Sequence, residues 1–483
     1  MAAESIERSL LGTLPPEVRQ RICASLPRPD LKNLRLVSRA WDEAPLPALL
    51  RTVFLRVNLQ SFENLQDISE SKKLGNNVRF ISYDGRTLGV DTARYGFEHW
   101  MDHSACGGFG LLGRTKSWFL EQFTLEQFEE FYQNYQQYLF EQQHMLRRGY
   151  EKQMLQDALK KLPKPLGVDY VVPKMREMTK YDEPAPPLRS FSAVARKFLA
   201  EPESYHGYRE SEGHFWTLLQ SACLSGNAEQ LTHVRASNVD LRRWNYTAAS
   251  FVNCYKSLSS LQNLSLEFAF AQHYDDEVAH LASMIAHAIS LTSVSLSFDS
   301  FSYDDRLAVI HLPQVIGDAV YLKHLRSLSL QALVTPEAHL RSVLKRHCET
   351  LRSLELSRME LEKNAVEDEH GRGSWVLFIG FLNREMSLDH IKFDGTFSNS
   401  WNEGWIGRSD SNSTESAFDE SRSQYSDDCL LYRIERFVTG GSAYPNPFTT
   451  RSLEDDNHYS YGHNVPWKFE MDESWYFEGR LVQ

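Results

Sequence analysis

LQNLSL (261–266), LTSVSL (291–296), LRSLSL (325–330) and LRSLEL (351–356) are four copies of one pattern, L-x-x-L-x-L, with Val294 standing once for leucine. A weaker copy, LDHIKF, covers 388–393, and less certain ones are LTHVRA at 231–236 and the pair Ile434 and Phe437. Alternation of apolar and small polar residues has the period of a strand, so the leucines face one side and the residues between them the other. The central apolar residues Leu264, Val294, Leu328, Leu354 and Ile391 follow one another at irregular steps of about 26 to 37 residues. Helical spacing fills the gaps. Val278, Leu281, Ile285 and Ile289 share one face of 276–289, and Leu340, Val343 and Leu344 one face of 337–345. A single strand and helix cannot bury its own apolar side, so the pattern predicts parallel strands that stack, with helices outside. A compact α/β domain whose strands merely share a pattern is the alternative.

Working outward, Val53 to Val57, Val78 to Tyr83 and Val168 to Val172 are strand-like and read as degenerate copies. Thr124 with Gln127 makes a capping box, after which Phe128, Phe131, Tyr135, Tyr138, Leu139, Met145, Leu146, Leu155, Ala158, Leu159 and Leu162 predict one long aromatic helix over about 124–162, stopped by Pro163. Pro184, Pro186 and Pro187 mark a loop. The Ser- and acid-rich stretch 398–428 reads as a solvated excursion, with Trp401, Trp405 and Phe418 as docking points. Trp467, Phe469, Trp475, Tyr476 and Phe477 are expected to cap the last repeat.

At the other end, 14–50 reads LPPEVRQRICASLPRPDLKNLRLVSRAWDEAPLPALL. Pro15 and Pro16 suit a first helical turn, and Glu17 complements the helix dipole. Val18, Ile22 and Leu26 form an apolar stripe until Pro27 and Pro29 interrupt it. Asp30 is expected to cap a second helix carrying Leu31 and Leu34, and a third takes Val37, Ala40 and Trp41. Three helices in under roughly 40 residues bury too little to stand alone, so the module needs a partner or the next domain's core.

The order L-P-x-E-V-x-x-x-I-x-x-x-L followed by D-L-x-x-L-R-x-V-S-R-x-W resembles the F-box motif from end to end. It is carried by Leu14, Pro15, Glu17, Val18, Ile22, Leu26, Asp30, Leu31, Leu34, Arg35, Val37, Ser38, Arg39 and Trp41. The resemblance implies docking on a Skp-type adaptor that connects to a cullin, with Leu14, Pro15, Val18, Ile22, Leu26, Leu31, Leu34, Val37 and Trp41 as apolar anchors. Some of the nine must also hold the helices together. The strand-plus-helix unit downstream is similar to the leucine-rich repeat. The whole succession is similar to F-box proteins common in filamentous fungi. The expected fold class is therefore α/β. A three-helix F-box (10–50) is followed by degenerate repeat strands with the aromatic helix (51–230). A leucine-rich-repeat-like solenoid of parallel strands and outer helices (231–397) comes next. The flexible excursion (398–428) and a last repeat strand with an aromatic cap (429–483) complete the chain.

Composition excludes little but points one way. Of 483 residues 42% are hydrophobic and 24% charged, and acids exceed bases, 64 to 52, for a net charge of −12. No Lys/Arg block suited to phosphate appears, so nucleic acid is not an expected partner. No stretch reaches the roughly 20 apolar residues of a membrane helix and no basic leader precedes an apolar run, so the chain is expected to be soluble, cytoplasmic and/or nuclear, without membrane contact. Cys23, Cys106, Cys223, Cys254, Cys348 and Cys429 are scattered, with no C-x-x-C. They read as free thiols. His99 and His103 of HWMDH have ligand spacing, but Trp100 stands where a metalloprotease needs Glu and no third ligand is evident. CGGFGLLG (106–113) lacks the preceding strand a phosphate loop needs. No catalytic residue, metal or cofactor is expected.

The expected role is a substrate receptor of an SCF-type ubiquitin ligase, and the alternative is a scaffold acting with the adaptor outside a ligase. A protein client is expected on the strand residues that face away from the core: Asn263, Ser265, Glu267, Ser293, Ser295, Ser297, Ser327, Ser329, Gln331, Ser353, Glu355, Ser357, His390, Lys392 and Asp394. Charge gathers on Glu355, His390, Lys392 and Asp394, the candidate client-binding residues. Simple solvation of a strand face is the other reading.

Overall fold

The computed structural model describes residues 14–85, 87–88, 95–106, 124–162, 166–170, 208–226, 231–241, 254–270, 275–298, 310–362, 375–399, 404–407, 430–440 and 443–444. The chain forms two compact units, 1–239 with 246–261 and 240–245 with 262–483.

In the first unit, four short helices, α1 (Pro16–Ala24), α2 (Arg28–Leu34), α3 (Arg39–Asp42) and α4 (Leu46–Leu49), precede strand β1 (Thr52–Arg56). Helix α5 (Leu59–Glu70) starts where Asn58 accepts the Ser61 amide at 2.8 Å. Then come α6 (Lys72–Gly75), β2 (Phe80–Asp84), α7 (Phe97–Cys106), α8 (Leu125–Arg147), α9 (Tyr150–Lys161), β3 (Leu166–Tyr170), α10 (Tyr208–Leu224) and β4 (Leu231–Asp240). The four strands run parallel in chain order, so the segment expected to open the solenoid, 231–236, belongs to this unit. Two rows of buried side chains cross them in register: Val53, Ile81, Val168 and Val234; then Leu55, Tyr83, Tyr170 and Ala236.

The helix expected over 124–162 is two helices. The capping box forms as read, Thr124 accepting the Gln127 amide at 3.3 Å and Gln127 accepting the Thr124 amide at 2.9 Å. Gly149, at φ 66°, breaks the run between α8 and α9. A left-handed residue cannot continue the i→i+4 ladder, and glycine adopts it without a Cβ penalty. Between these elements lies a buried polar network. Tyr83 donates its hydroxyl to Glu151 Oε1 at 2.9 Å, and His214 Nδ1 lies 2.8 Å from the same oxygen.

The second unit follows the repeat. Strands β5 (Asn263–Phe270), β6 (Ser293–Ser297), β7 (Ser327–Gln331), β9 (Ser353–Glu362) and β10 (His390–Asn399) are parallel neighbours in that order; β8 (Val334–Pro336) pairs with β9. Helices α11 (Asp275–His287), α12 (Leu312–Val315), α13 (Glu337–Arg346) and α14 (Trp375–Glu385) alternate with them. The pattern's leucines stack in two in-register rows: Leu264, Val294, Leu328, Leu354 and Ile391; Leu266, Leu296, Leu330, Leu356 and Phe393. All ten are at most 2% exposed. Burying each contributes about 1.5–3 kcal/mol, which no isolated repeat could gather.

A backbone signature recurs at the starts of β6, β7, β9 and β10, where two successive amides share one carbonyl of the preceding repeat. Thr292 and Ser293 donate to Gln262, Arg326 and Ser327 to Thr292, Arg352 and Ser353 to Arg326, and Asp389 and His390 to Arg352. Arg79 and Phe80 do the same to Arg51 in the first unit. The start of β2 thus has the same hydrogen bonding without the repeat's leucines.

Two expectations near the C-terminus are corrected. Within the stretch read as an excursion, β11 (Gly404–Gly407) pairs antiparallel with β10, Trp405 opposite Phe397. Ile434 and Phe437, read as a last strand, lie on helix α15 (Leu430–Gly440), where they and Val438 form one buried face at i, i+3, i+4. Trp401, Phe418, the proline loop at 184–187 and the aromatic tail lie outside the described residues, as do Val171 and Val172. Among the described residues no helix is long and apolar enough to cross a membrane.

Candidate functional site

Two surfaces matter, one on each unit. In the N-terminal module Pro15 caps α1 and Pro16 opens it with Glu17 in the first turn, as the sequence requires. Helix α2 begins after Pro27 as cap and not after Asp30, which sits inside its first turn. Val37 lies in the turn before α3 and not on it. A fourth helix, α4, completes the module, because its Leu49 joins the core.

That core is Cys23, Leu31, Trp41 and Leu49, with Leu14, Ile22, Leu26, Leu34, Ala44, Ala48 and Leu50 packed around it. The nine expected anchors therefore divide three ways. Leu31 and Trp41, 4% and 2% exposed, are interior to the module's own core. Leu14, Ile22, Leu26 and Leu34 are half-buried against the core, each with an edge outside. Pro15, Val18 and Val37 are exposed, and Leu36, not singled out in the sequence, is the most exposed large apolar side chain there at 85%. Its neighbour Val37, 64% exposed, was the only available signal, since no periodicity covers a turn. Cys23 replaces Val18 as the buried member of α1, and burial pushes its thiol pKa up.

The Leu36–Val37 turn is clasped at its base. Arg35 donates to the Asp42 carboxylate through Nε at 3.2 Å and Nη2 at 2.9 Å. This pairing, with Lys73 beside it, holds the Asp42 carboxyl below the usual carboxylate range. Lys73 of α6 also meets Glu43 at 2.8 Å, and the Arg28 guanidinium lies 4.9 Å from the Phe54 ring centroid. Surface ion pairs add little stability. Here their effect is positional, fixing the module against the first repeat with two apolar side chains turned outward.

On the second unit, Ser265, Ser295, Ser329, Glu355 and Lys392 lie side by side across five strands. They and their outward neighbours are half-buried at most, and His390 and Lys392 are exposed. Register puts the four candidate client residues on the adjacent strands β9 and β10. Ser329 donates to Glu355 Oε2 at 3.4 Å, and His390 Nε2 lies 3.7 Å from Glu355 Oε1. Sequence reasoning missed Glu435 on α15. Burial pushes its carboxyl pKa up, against the pull of His390 and Lys392. The bases of this cluster are thus already faced by the chain's own carboxylates. It is a polar strand face on which acidic and basic side chains alternate.

His99 of the HWMDH segment packs on the Tyr95 ring, centroids 4.9 Å apart, and the side chain of His103 lies outside the described residues, as does the glycine segment 107–113. Among the described residues no group of three His, Cys, Asp or Glu could hold a metal ion.

Comparison with protein families matches the F-box domain to residues 11–41, so this stretch is an F-box, a domain that binds Skp-type adaptors and through them cullins. A search of curated proteins finds no match.

Proposed function

We propose that the chain is a substrate-receptor subunit of an SCF-type cullin-RING ubiquitin ligase. The observation that carries this reading is the surplus of the F-box: its core is complete with Leu31 and Trp41, yet Val18, Leu36 and Val37 remain outside. Exposed apolar anchors beside a rigid scaffold are what a partner interface needs. Pro15, Val18, Leu36 and Val37 then touch the Skp-type adaptor directly, with the outer edges of Leu14, Ile22, Leu26 and Leu34. Leu31 and Trp41 act by holding the helices.

The outward strand face of the second unit takes the protein client, with Glu355, His390, Lys392 and Asp394, joined by Glu435, supplying its polar specificity. The chain performs no chemistry in this reading. It raises the local concentration of client lysines beside the ligase, the effect that tethering gives. The test is affinity purification with the proteasome inhibited, comparing wild type with a deletion of 11–41. Adaptor and cullin should both leave with the deletion while client stays bound. An adaptor that copurifies without cullin would defeat the ligase reading.

A further inference from the structure

Between α12 and β7 the chain runs from Ile316 to Arg326 without helix or strand, and side chains of α13 and its C-cap hold it in place. His339 Nε2 lies 2.9 Å from the Ile316 carbonyl, and its Nδ1 lies 3.3 Å from the Asp318 carboxylate. Arg346 donates to the Gly317 carbonyl at 3.3 Å and to that of Asp318. His347, 1% exposed, closes the far end. Its Nε2 accepts the Leu322 amide at 3.0 Å, and its Nδ1 lies 2.7 Å from the Val343 carbonyl. The Tyr321 ring stacks on it with centroids 5.6 Å apart. An amide only donates and a carbonyl only accepts, so these bonds require the proton on Nδ1 and a lone pair on Nε2. The bound ring is neutral. At His339 both neighbours accept, so a proton that strengthens that grip breaks the one at His347.

We propose that the turn 320–322 is an acid-released latch: a proton taken up at His347 Nε2 removes the acceptor of the Leu322 amide, and Tyr321 and Leu322 leave α13 while Ile316 to Asp318 stay clasped. The turn leads into β7, whose outward Ser327 and Ser329 lie on the client face. Burial first holds the His347 pKa below its ordinary value; the Val343 bond opposes this and the Arg346 charge adds to it. The other charged groups around the turn have partners of their own. Lys345 meets Glu385 of α14 at 2.8 Å, Arg341 pairs with Glu337, and Asp318 faces His339 and Arg346. Lys323 and His324 point to solvent. Opening the turn uncovers the His347 ring, which then has the ordinary histidine pKa of about 6.5. The closed turn is therefore fully favoured above that pH and loses ground as pH falls toward the lowered value. A freed ring at pH 5.5 gains about tenfold in population over pH 7.5.

The test is hydrogen–deuterium exchange of the full chain at pH 7.5 and 5.5, read by mass spectrometry and corrected for the intrinsic pH dependence of exchange. The peptide over 319–325 should exchange about tenfold faster at the lower pH, while peptides over β5 and β6 stay unchanged. His347→Gln keeps an amide oxygen to accept the Leu322 amide but takes up no proton, so its exchange should be the same at both values. His339→Gln should keep the tenfold response. Wild-type chain with equal protection at the two values overturns the proposal, as does an equal loss over β5 and β6 or a full response in His347→Gln. The wild-type comparison decides the matter even if a variant folds poorly.

Discussion

A Cβ built on Gly395 would lie 2.5 Å from Cγ of Arg358 on the neighbouring strand, closer than real side chains approach. Both residues are left-handed, Gly395 at φ 76° and Arg358 at φ 49°, and each follows the last outward residue of its pattern, as does Ala332 at φ 55°. The later repeats therefore share a backbone reversal that the leucine pattern does not encode. Gly395→Ala should destabilise the second unit by about 2–4 kcal/mol, joining a left-handed alanine to overpacking against Arg358. Gly149→Ala has the same backbone penalty in open space and should cost only about 1–2 kcal/mol. Urea denaturation compares them. Arg358→Gly should recover much of the Gly395→Ala loss, and equal costs for the two glycines would remove the crowding argument.

The F-box division gives a second expected outcome. Leu36→Asp with Val37→Asp should leave the fold intact by circular dichroism yet weaken adaptor binding at least tenfold, because exposed anchors contribute to the interface alone. Trp41→Ala should instead cost about 3–5 kcal/mol of module stability by opening a cavity beside Leu31 and Cys23. Binding to immobilised adaptor with parallel thermal melts tells the two apart. Full adaptor binding by the double aspartate variant would place the interface elsewhere.

The parts of this architecture legible in the sequence were those with a strong period. Leu264, Leu328 and Leu354 sit at positions where a one-residue slip would expose every leucine, so pattern and register coincide. Ile434 and Phe437 were misread because three-residue spacing fits a helix face and the short pair lacked an alternating partner. Gly149 was invisible as a break because the aromatic stripe continues on both sides of it. The F-box anchors could be named but not divided, since half-burial depends on Leu49 of a fourth helix and on Leu50 just after it, both beyond the motif. Glu435 is far in sequence from His390 and Lys392, and no local signal reaches across such a gap.

Alkaline pH probes the buried network. Burial first, then the nearby Glu151 carboxylate, push the Tyr83 pKa well above its ordinary 10. The folded chain keeps this proton where the unfolded chain releases it, so the contribution is complete below about pH 10 and is lost as pH rises further. Stability of wild type should fall with pH above about 10 more steeply than that of Tyr83→Phe. At pH 7 the same substitution should cost about 1–3 kcal/mol, because Glu151 loses a donor in a buried site. Parallel slopes for the two proteins above pH 10 would show that Tyr83 does not control the transition.

Charge on the client face gives the last expected outcome. Glu355→Lys, His390→Glu, Lys392→Glu and Asp394→Lys together invert the polar surface while leaving both leucine rows untouched. The substituted chain should fold, keep its adaptor, and lose client recovered with the proteasome inhibited. Because exposed charges at this distance are screened over about 8–10 Å at ordinary ionic strength, the wild-type interaction should itself weaken between 50 and 300 mM salt. Glu435→Gln should have a smaller effect in the opposite direction, since it frees His390 and Lys392 from an internal carboxylate. If the quadruple reversal leaves client recovery unchanged, the strand face is merely solvated and recognition lies on another part of the chain.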